Sequence, residues 1–507
     1  MTTKVVKGSI WTMAGQVVPL FATLVTTPFV IRLLGTESYG VLLLVGLIPN
    51  YFTFADFGMG IASTKFASEA HGSADGDREV AVVRTAAAIS LLSSAVIAVP
   101  LVAFAKPIVT SLNVPDHLID AAALALRLTA GSFVAAILSS VFNTPQLARL
   151  RMDLNASINA AGRVILAFGT VVVLWLGGGI IGAAVFGLVI AVGTLFAHMV
   201  VSAKLIGRAF GWQFDKNLAK PMLKFGGGLL VSGIVVIMLV NLERGLVTRL
   251  VSVEALSYYS VASTLAGMAS IAATSFITSL LPAFSRLAAP EQRDEFQALF
   301  SRLFRISLIG LVPGLSFMVI VARPFFTVWA GADFGEYSTL PFYILAAGLV
   351  FNLIGWVPQC AVTSLGRTDV FAKLYWVELV LSAICSYILI KNYGIVGAAL
   401  AWTTRGVLDA IAVLVVARTI TGFSFRLLSN FRALLIFATI FTPVLFMALY
   451  FQCLLIWTLP IWLATLGVFA VAVWFGLLQS EEKVWLGNSL NSFSTQRLGG
   501  WPARLFR

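Results

Sequence analysis

Residues 179–203, "GIIGAAVFGLVIAVGTLFAHMVVSA", contain no Asp, Glu, Lys or Arg. As a helix rising 1.5 Å per residue, the run is long enough to cross a hydrocarbon core, which takes about 20 apolar residues. Lipid offers no water to backbone N–H and C=O groups, so an unbroken apolar run of this length reads as a helix. Comparable runs recur along the whole chain. Of its 507 residues, 59% are hydrophobic and only 11% are charged, against roughly 25% charged in soluble domains. The mean hydropathy is +0.96. This composition excludes a soluble enzyme and predicts an all-α polytopic membrane protein.

About fourteen transmembrane helices are expected, at 8–33, 39–63, 82–106, 117–142, 153–176, 179–203, 225–250, 256–282, 304–329, 338–362, 369–391, 394–417, 432–453 and 457–478. Most of the 34 Lys and Arg residues then fall on one side, which the positive-inside rule assigns to the cytoplasm. Both termini are expected there, and the net charge of +12 follows from topology rather than from nucleic-acid binding. The basic start "MTTKVVKGSI" runs into apolar sequence without a cleavage site, so it reads as a retained first helix. Outer loops are short. The two longest inner connections are 64–81 and 283–303, and "PEQRDEFQALFSRLF" in the second has the spacing of a surface helix. The tail around Trp501 reads as a cytoplasmic end. Cys360, Cys385 and Cys453 lie far apart in apolar segments and read as small buried hydrophobes, not a disulfide framework.

The chain also repeats itself. "RLLGTE" at 32–37 returns as "RLVSVE" at 249–254, "PQ" at 145–146 as "PQ" at 358–359, "RMD" at 151–153 as "RTD" at 367–369, and "GIIGAA" at 179–184 as "GIVGAA" at 394–399. All four pairs are about 215 residues apart, the mark of a duplication. The period maps the first six spans onto the next six. An even number preserves orientation, giving two pseudo-symmetric six-helix lobes related by an axis along the membrane normal. The expected organisation is an N-lobe at 1–210, a C-lobe at 211–420, a helix pair at 421–480 and a tail at 481–507, with a cavity between the lobes.

"FADFGMGIAST" at 54–64, "NLERGLVTRLVSVEALSYYSVAS" at 241–263 and "NYGIVGAALA" at 392–401 resemble the polysaccharide biosynthesis flippases. These are the Wzx-type members of the multidrug/oligosaccharidyl-lipid/polysaccharide (MOP) exporter superfamily, and the resemblance covers roughly the first 420 residues. It implies a MOP, MATE-like fold. It also implies export of undecaprenyl-diphosphate-linked oligosaccharide from the inner to the outer leaflet of the bacterial plasma membrane, by alternating access around a cationic cavity. The implied partners are that lipid-linked cargo, membrane lipids, the polysaccharide polymerase machinery and a coupling H+ or Na+; no cofactor is implied.

Ionisable residues deep in spans are costly and face a cavity or a partner. Arg127, Arg163, Glu378 and Arg405 all reach about the midplane at 1.5 Å per residue. Arg163 and Glu378 lie one repeat period apart, so they are expected in equivalent places in the two lobes, approaching one another in one transport state. Asp409 follows Arg405 at the i,i+4 spacing that permits an ion pair. Guanidinium groups bind phosphate oxygens through paired hydrogen bonds, which suits a diphosphate linker. Arg32, Arg244 and Arg249 are expected at the outer rim of the same cationic path. Asn241, Arg244 and Thr248 share one stripe there, with Glu243 to one side. Glu378, Asp409, Asp56 and Glu243 are the candidates for ion coupling or salt bridges. Asp56, in "ADFGMG", is expected near the inner surface at a glycine-loosened helix end.

Two rivals keep the membrane class. A cation-coupled multidrug extruder of the same superfamily favours acidic cavities, whereas three of the five deep charges here are arginines. A major-facilitator transporter carries a Gly-x-x-x-Asp-Arg-like loop after span 2, where this chain reads "KFASEAHGSADGDREV". An enzyme acting on lipid-linked sugars is disfavoured by the short outer loops, the scattered His71, His117 and His198, and the lack of a phosphate-binding glycine loop.

Overall fold

The computed structural model describes residues 2–207, 211, 213–278, 284, 287, 292–367, 369–421, 442, 443, 446 and 455–476. The first half contributes α1 (Thr2–Leu34), α2 (Thr36–Asn50), α3 (Met59–Gly72), α4 (Gly76–Ala103), α5 (Ala105–Thr110), α6 (Ile119–Phe142), α7 (Thr144–Ala148), α8 (Met152–Trp175) and α9 (Gly179–Ile206). There follow α10 (Lys216–Leu250), α11 (Val253–Thr278), α12 (Arg293–Ala330), α13 (Ala332–Tyr337), α14 (Thr339–Ser364), α15 (Asp369–Thr421) and α16 (Leu455–Gly476). Among the described residues there is no strand, and nine helical segments are long and apolar enough to cross a membrane by length and composition. Large apolar side chains cover the outside: Val96 is 73% exposed, Trp175 74% and Val328 77%. That surface suits lipid, not water. The expected span at 432–453 and the tail with Trp501 lie outside the described residues.

Two expectations change in detail. The second span is not one helix. Between α2 and α3 the chain unwinds through a 3-10 turn at Thr53–Asp56, after which Phe57 (φ +49°) and Gly58 (φ +66°) adopt left-handed backbone. Asp56 Oδ1 accepts a hydrogen bond from the Gly58 N–H at 2.8 Å, which holds the turn. Gly58 is required on a second count, because a Cβ there would lie 3.0 Å from the Gly226 backbone on α10. The other change concerns "PEQRDEFQALFSRLF". From Arg293 it forms the opening turns of α12 and runs unbroken into the ninth span.

The repeated motifs share backbone conformation. Gly179 and Gly394, which open "GIIGAA" and "GIVGAA", have φ +55° and +57°. At Gly394 the helix reverses, so α15 holds two expected spans as a hairpin. Leu150 and Gly366, just before "RMD" and "RTD", are likewise left-handed at φ +56° and +76°.

The chain forms two compact units. The first comprises Met1–Ser263, Phe326–Pro341 and Phe371–Arg405. In it α1 packs along α8, α6 lies against α4 and α9, and α10 packs on α3. Met59, Ala62, Val82, Val83, Val141 and Met222 form the core where α3, α4, α6 and α10 meet. The second unit comprises Thr264–Phe325, Phe342–Val370 and Gly406–Arg507. In it Trp462 of α16 donates from Nε1 to Ser316 Oγ of α12 at 3.0 Å and packs on the Phe317 ring.

Buried polar contacts tie the first unit together. Arg149 makes a two-pronged ion pair with Glu79 at the start of α4, where Glu79 is 2% exposed. Beside it Ser63 bonds Thr144 at 2.7 Å, and Gln146 Nε2 lies 3.1 Å from His198 Nδ1. Breaking a buried pair strands one charge and costs about 3–5 kcal/mol, while replacing both partners by apolar groups is often neutral. Arg149→Ala should therefore lower thermal stability in detergent sharply, and Glu79→Leu with Arg149→Met should recover most of it. Equal stability of Arg149→Ala and the wild type would refute that role.

Candidate functional site

Two polar sites lie in the first unit. One is built by α10 and the first-unit part of α15. Arg405 donates from Nη1 to the Leu239 carbonyl at 2.7 Å, and its Nε lies 3.8 Å from Glu378 Oε1. Its guanidinium thus links the two helices. Both side chains are largely enclosed, at 12% and 13% exposure. One turn beyond Leu239, Glu243 is only 2% exposed. Its Oε1 has no hydrogen-bond partner among the described residues, and Arg405 and Arg244 are the cations acting on it. Tyr51, Tyr259 and Cys385 are in turn within the field of Glu243. Arg244 is half-buried and donates from Nη2 to Ser263 Oγ at 3.1 Å. Two acids and two bases therefore balance in a low-dielectric interior, where an uncompensated charge is expensive.

The second site is an open cavity of ≈ 770 Å³ lined by α2, the turn after it, α6, α8 and α9. Asp56 and Arg163 both line it, with Asn50, Ser132, Asn143 and Asn159. Asp56 is held at the wall by its bond to Gly58, and Arg163 is exposed to the space.

The remaining sequence candidates are dispersed. Arg127 is exposed, and its Nε donates to the Val102 carbonyl near the end of α4 at 3.3 Å. Arg32 donates from Nη2 to the Val328 carbonyl at 3.1 Å. Arg249 is exposed, and its carbonyl accepts from Asn113 Nδ2 at 2.6 Å. Asp409 belongs to the second unit, where its Oδ2 lies 3.7 Å from the place a Cβ on Gly355 would take.

Three placements differ from the sequence picture. Arg163 and Glu378, expected to approach in one transport state, are not paired in this conformation: Arg163 lines the cavity, and Glu378 meets Arg405. Glu243 is buried rather than set to one side of an open stripe, because α10 turns it among Tyr51, Tyr259 and Arg405. Asp56 ends the 3-10 turn at a glycine-loosened break, but that break lies within a span that continues to Gly72 rather than near its inner end. The amide and hydroxyl lining of the cavity went unread in the sequence. Its signal was present on α6, where Thr129, Ser132, Ser139, Ser140 and Asn143 recur at helical spacing.

Residues 5–288, more than half of the chain, match the family described as "Polysaccharide biosynthesis protein". The chain belongs to that family. A Shigella flexneri protein named "Putative O-antigen transporter" is 24% identical over 422 residues, covering 80% of this polysaccharide biosynthesis protein and 96% of the relative. The Bacillus subtilis "Uncharacterized membrane protein EpsK" is 23% identical over 355 residues, 66% of each chain. Among solved structures, the inward closed lipid II flippase MurJ superposes with a TM-score of 0.70 at 14% identity, covering 93% of this chain and 99% of that one. An inward-facing MATE family multidrug transporter of the MOP superfamily gives 0.64 at 14% identity, covering 83% and 98%. At these identities the structures establish the fold. The chain is an all-α polytopic membrane protein with the fold of those MOP-type structures.

The charge balance around Arg405 makes a prediction of sign. Arg405→Ala leaves Glu378 and Glu243 uncompensated and should destabilise the purified protein by about 3–5 kcal/mol. Adding Glu243→Gln removes one stranded charge, so the double variant should melt higher than Arg405→Ala alone. A double variant melting lower than the single would show that the two side chains do not share this balance.

Proposed function

We propose that this chain is a flippase that moves undecaprenyl-diphosphate-linked oligosaccharide from the inner to the outer leaflet of the bacterial plasma membrane. The exported unit serves O-antigen, capsule or exopolysaccharide synthesis. The observation that carries the reading is the set of guanidinium groups in the interior of an apolar helical bundle, Arg405 and Arg244 by α10 and Arg163 in the cavity. A diphosphate presents concentrated negative charge and acceptor oxygens, which planar guanidinium forks bind in pairs. The family, and the relative named as an O-antigen transporter that aligns over 96% of its length, supply the sugar context.

In this reading the two repeats act as lobes, at 1–210 and 211–420, that alternate around the cargo, while both termini stay cytoplasmic. Arg127, Arg32 and Arg249 assist at the ends of the path. Glu243 and Glu378 share Arg405 and carry the coupling step: H+ or Na+ exchanges with the guanidinium as their counter-charge. Asp56 and Asp409 are further ion-coupling positions. The polysaccharide polymerase machinery receives the product.

Deleting the gene in its own host and analysing lipid-linked intermediates tests the proposal. A complete oligosaccharide on undecaprenyl diphosphate should accumulate on the inner leaflet, and the wild-type gene should clear it. Arg163→Ala and Glu378→Ala should each lower export roughly tenfold or more, the size expected for one lost charge-assisted hydrogen bond. Unchanged intermediates together with new dye sensitivity would instead identify a drug extruder.

A further inference from the structure

Helices α1 and α8 run side by side from the same end. Near their starts they touch closely, because a Cβ on Gly15 would lie 3.0 Å from the Ala156 Cβ. Near their last turns they part. There Phe29, Arg32 and Leu33 of α1 and Val171, Val172 and Trp175 of α8 line an open groove of ≈ 460 Å³. Both helices are candidate spans, ending at Leu34 and Trp175, so the groove lies where hydrocarbon gives way to water. An exposed tryptophan and an arginine together at a span end suit that interfacial layer.

The end of α12 holds Arg32 in place. Pro28 has no N–H, so the Leu24 carbonyl, four residues earlier in α1, loses its helical donor. Trp329 supplies one from Nε1 at 2.9 Å, which seats the last turn of α12 on α1. One N–H of Arg32 then reaches the Val328 carbonyl in that turn. A guanidinium carries five N–H donors, so the others stay available. No acid lines the groove: Arg32 is its one polar side chain, and the rest are apolar. Glu37, the first acid along the chain, lies against His117 at 3.6 Å, and among the described residues Arg32 has no ion pair. A cation at the edge of hydrocarbon without a counter-charge is costly, and an anion from the bilayer would supply one.

We propose that this groove binds one anionic phospholipid of the bilayer. Its phosphodiester pairs with Arg32, and the first carbons of an acyl chain lie along Phe29, Leu33, Val171 and Val172. The charge fits, because one guanidinium balances one phosphodiester, whereas a diphosphate brings more negative charge than a single cation can match. The length fits too: Phe29 to Leu33 is one helical turn, about 6 Å, which grips a chain beside its headgroup and no farther. A zwitterionic lipid carries its own cation to the guanidinium and leaves the charge unbalanced. The site is independent of what the chain transports. Arg32 then serves the end of the path through a lipid that it holds, not by touching cargo.

Titrating phosphatidylglycerol and phosphatidylcholine into the delipidated full-length protein in detergent, with bound lipids counted by native mass spectrometry, tests the site. The wild type should hold one phosphatidylglycerol roughly tenfold more tightly than phosphatidylcholine, the scale of one charge-assisted hydrogen bond. Arg32→Gln keeps a donor for the Val328 carbonyl but loses the charge, so the preference should fall to within about twofold. Val171→Trp leaves Arg32 in place and fills the groove, so it should weaken both lipids. Lys391→Gln removes an exposed cation elsewhere in the same unit and should leave the preference intact. An undiminished preference in Arg32→Gln, unchanged binding in Val171→Trp, or an equal loss in Lys391→Gln would overturn the site. Undecaprenyl diphosphate displacing phosphatidylglycerol at lower concentration would overturn it too, giving the groove to that lipid and leaving the flippase reading intact.

Discussion

A peptide group in hydrocarbon must find its hydrogen-bond partner within the protein, and that constraint organises this molecule. Helices meet it automatically, so departures from helix are confined to places that protein shelters. The break after α2 shows how. Ala55 N–H bonds the Phe52 carbonyl, Phe57 N–H bonds Phe54, and the Asp56 carboxylate takes the Gly58 N–H. The unwound turn is therefore satisfied locally, and its outer side packs on Gly226, where any side chain would collide with the Phe57 carbonyl at 2.0 Å. The second reversal, at Gly394, needs a single left-handed residue between two spans. Gly397 completes it by letting the returning helix press against the Leu389 carbonyl, 2.0 Å from where a Cβ would sit.

Charge follows the same rule of internal compensation. Two of the largely enclosed cations in the first unit are each held by a partner of opposite sign. Arg149 has Glu79, and Arg405 has Glu378 and the Leu239 carbonyl. The Glu79–Arg149 pair is bidentate and closely matched, as a structural tie should be. The Arg405 cluster is looser: its ion pair spans 3.8 Å, and Glu243 keeps one oxygen unpaired beside it. A tight pair resists exchange of partners. A loose one with a spare acceptor accommodates an incoming cation or anion at smaller cost, and this contrast separates the two clusters chemically.

Fold class was legible because apolar run length is a one-dimensional property, and the glycine motifs were legible because backbone conformation is local. "GIIGAA" and "GIVGAA" announced two equivalent turns, and Gly179 and Gly394 share nearly the same φ. Partnerships were not legible, because they depend on helix rotation and on neighbours far away in the chain. Counting residues from Lys224 set the height of Glu243 on α10 but not its azimuth, which buries it among Tyr51 and Tyr259. The repeat period paired Arg163 with Glu378, yet equal positions in two repeats need not touch. The cavity escaped notice for another reason: hydroxyls on helices are usually read as self-satisfied, and these do bond the carbonyls of their own helix.

The cavity and the acidic cluster are mechanically joined through one side chain. Tyr51 starts the break that carries Asp56, and its hydroxyl donates to the Asn241 carbonyl at 2.5 Å, two residues before Glu243. The ring is pinned there, because a Cβ on Gly245 would lie 2.3 Å from the Tyr51 oxygen. Farther along α2, Ser257 Oγ donates to the Thr36 carbonyl at 2.9 Å, and Gly40 lies against the Val253 carbonyl, 2.0 Å from the place of its missing Cβ. The α2 half of the span is thus held against α10 and α11. Tyr51 thus ties α10 at Asn241 to the unwound turn at the wall that holds Asp56. Glu243 and the cavity wall are therefore connected over a few residues, by hydrogen bonds and backbone contact rather than through a long relay.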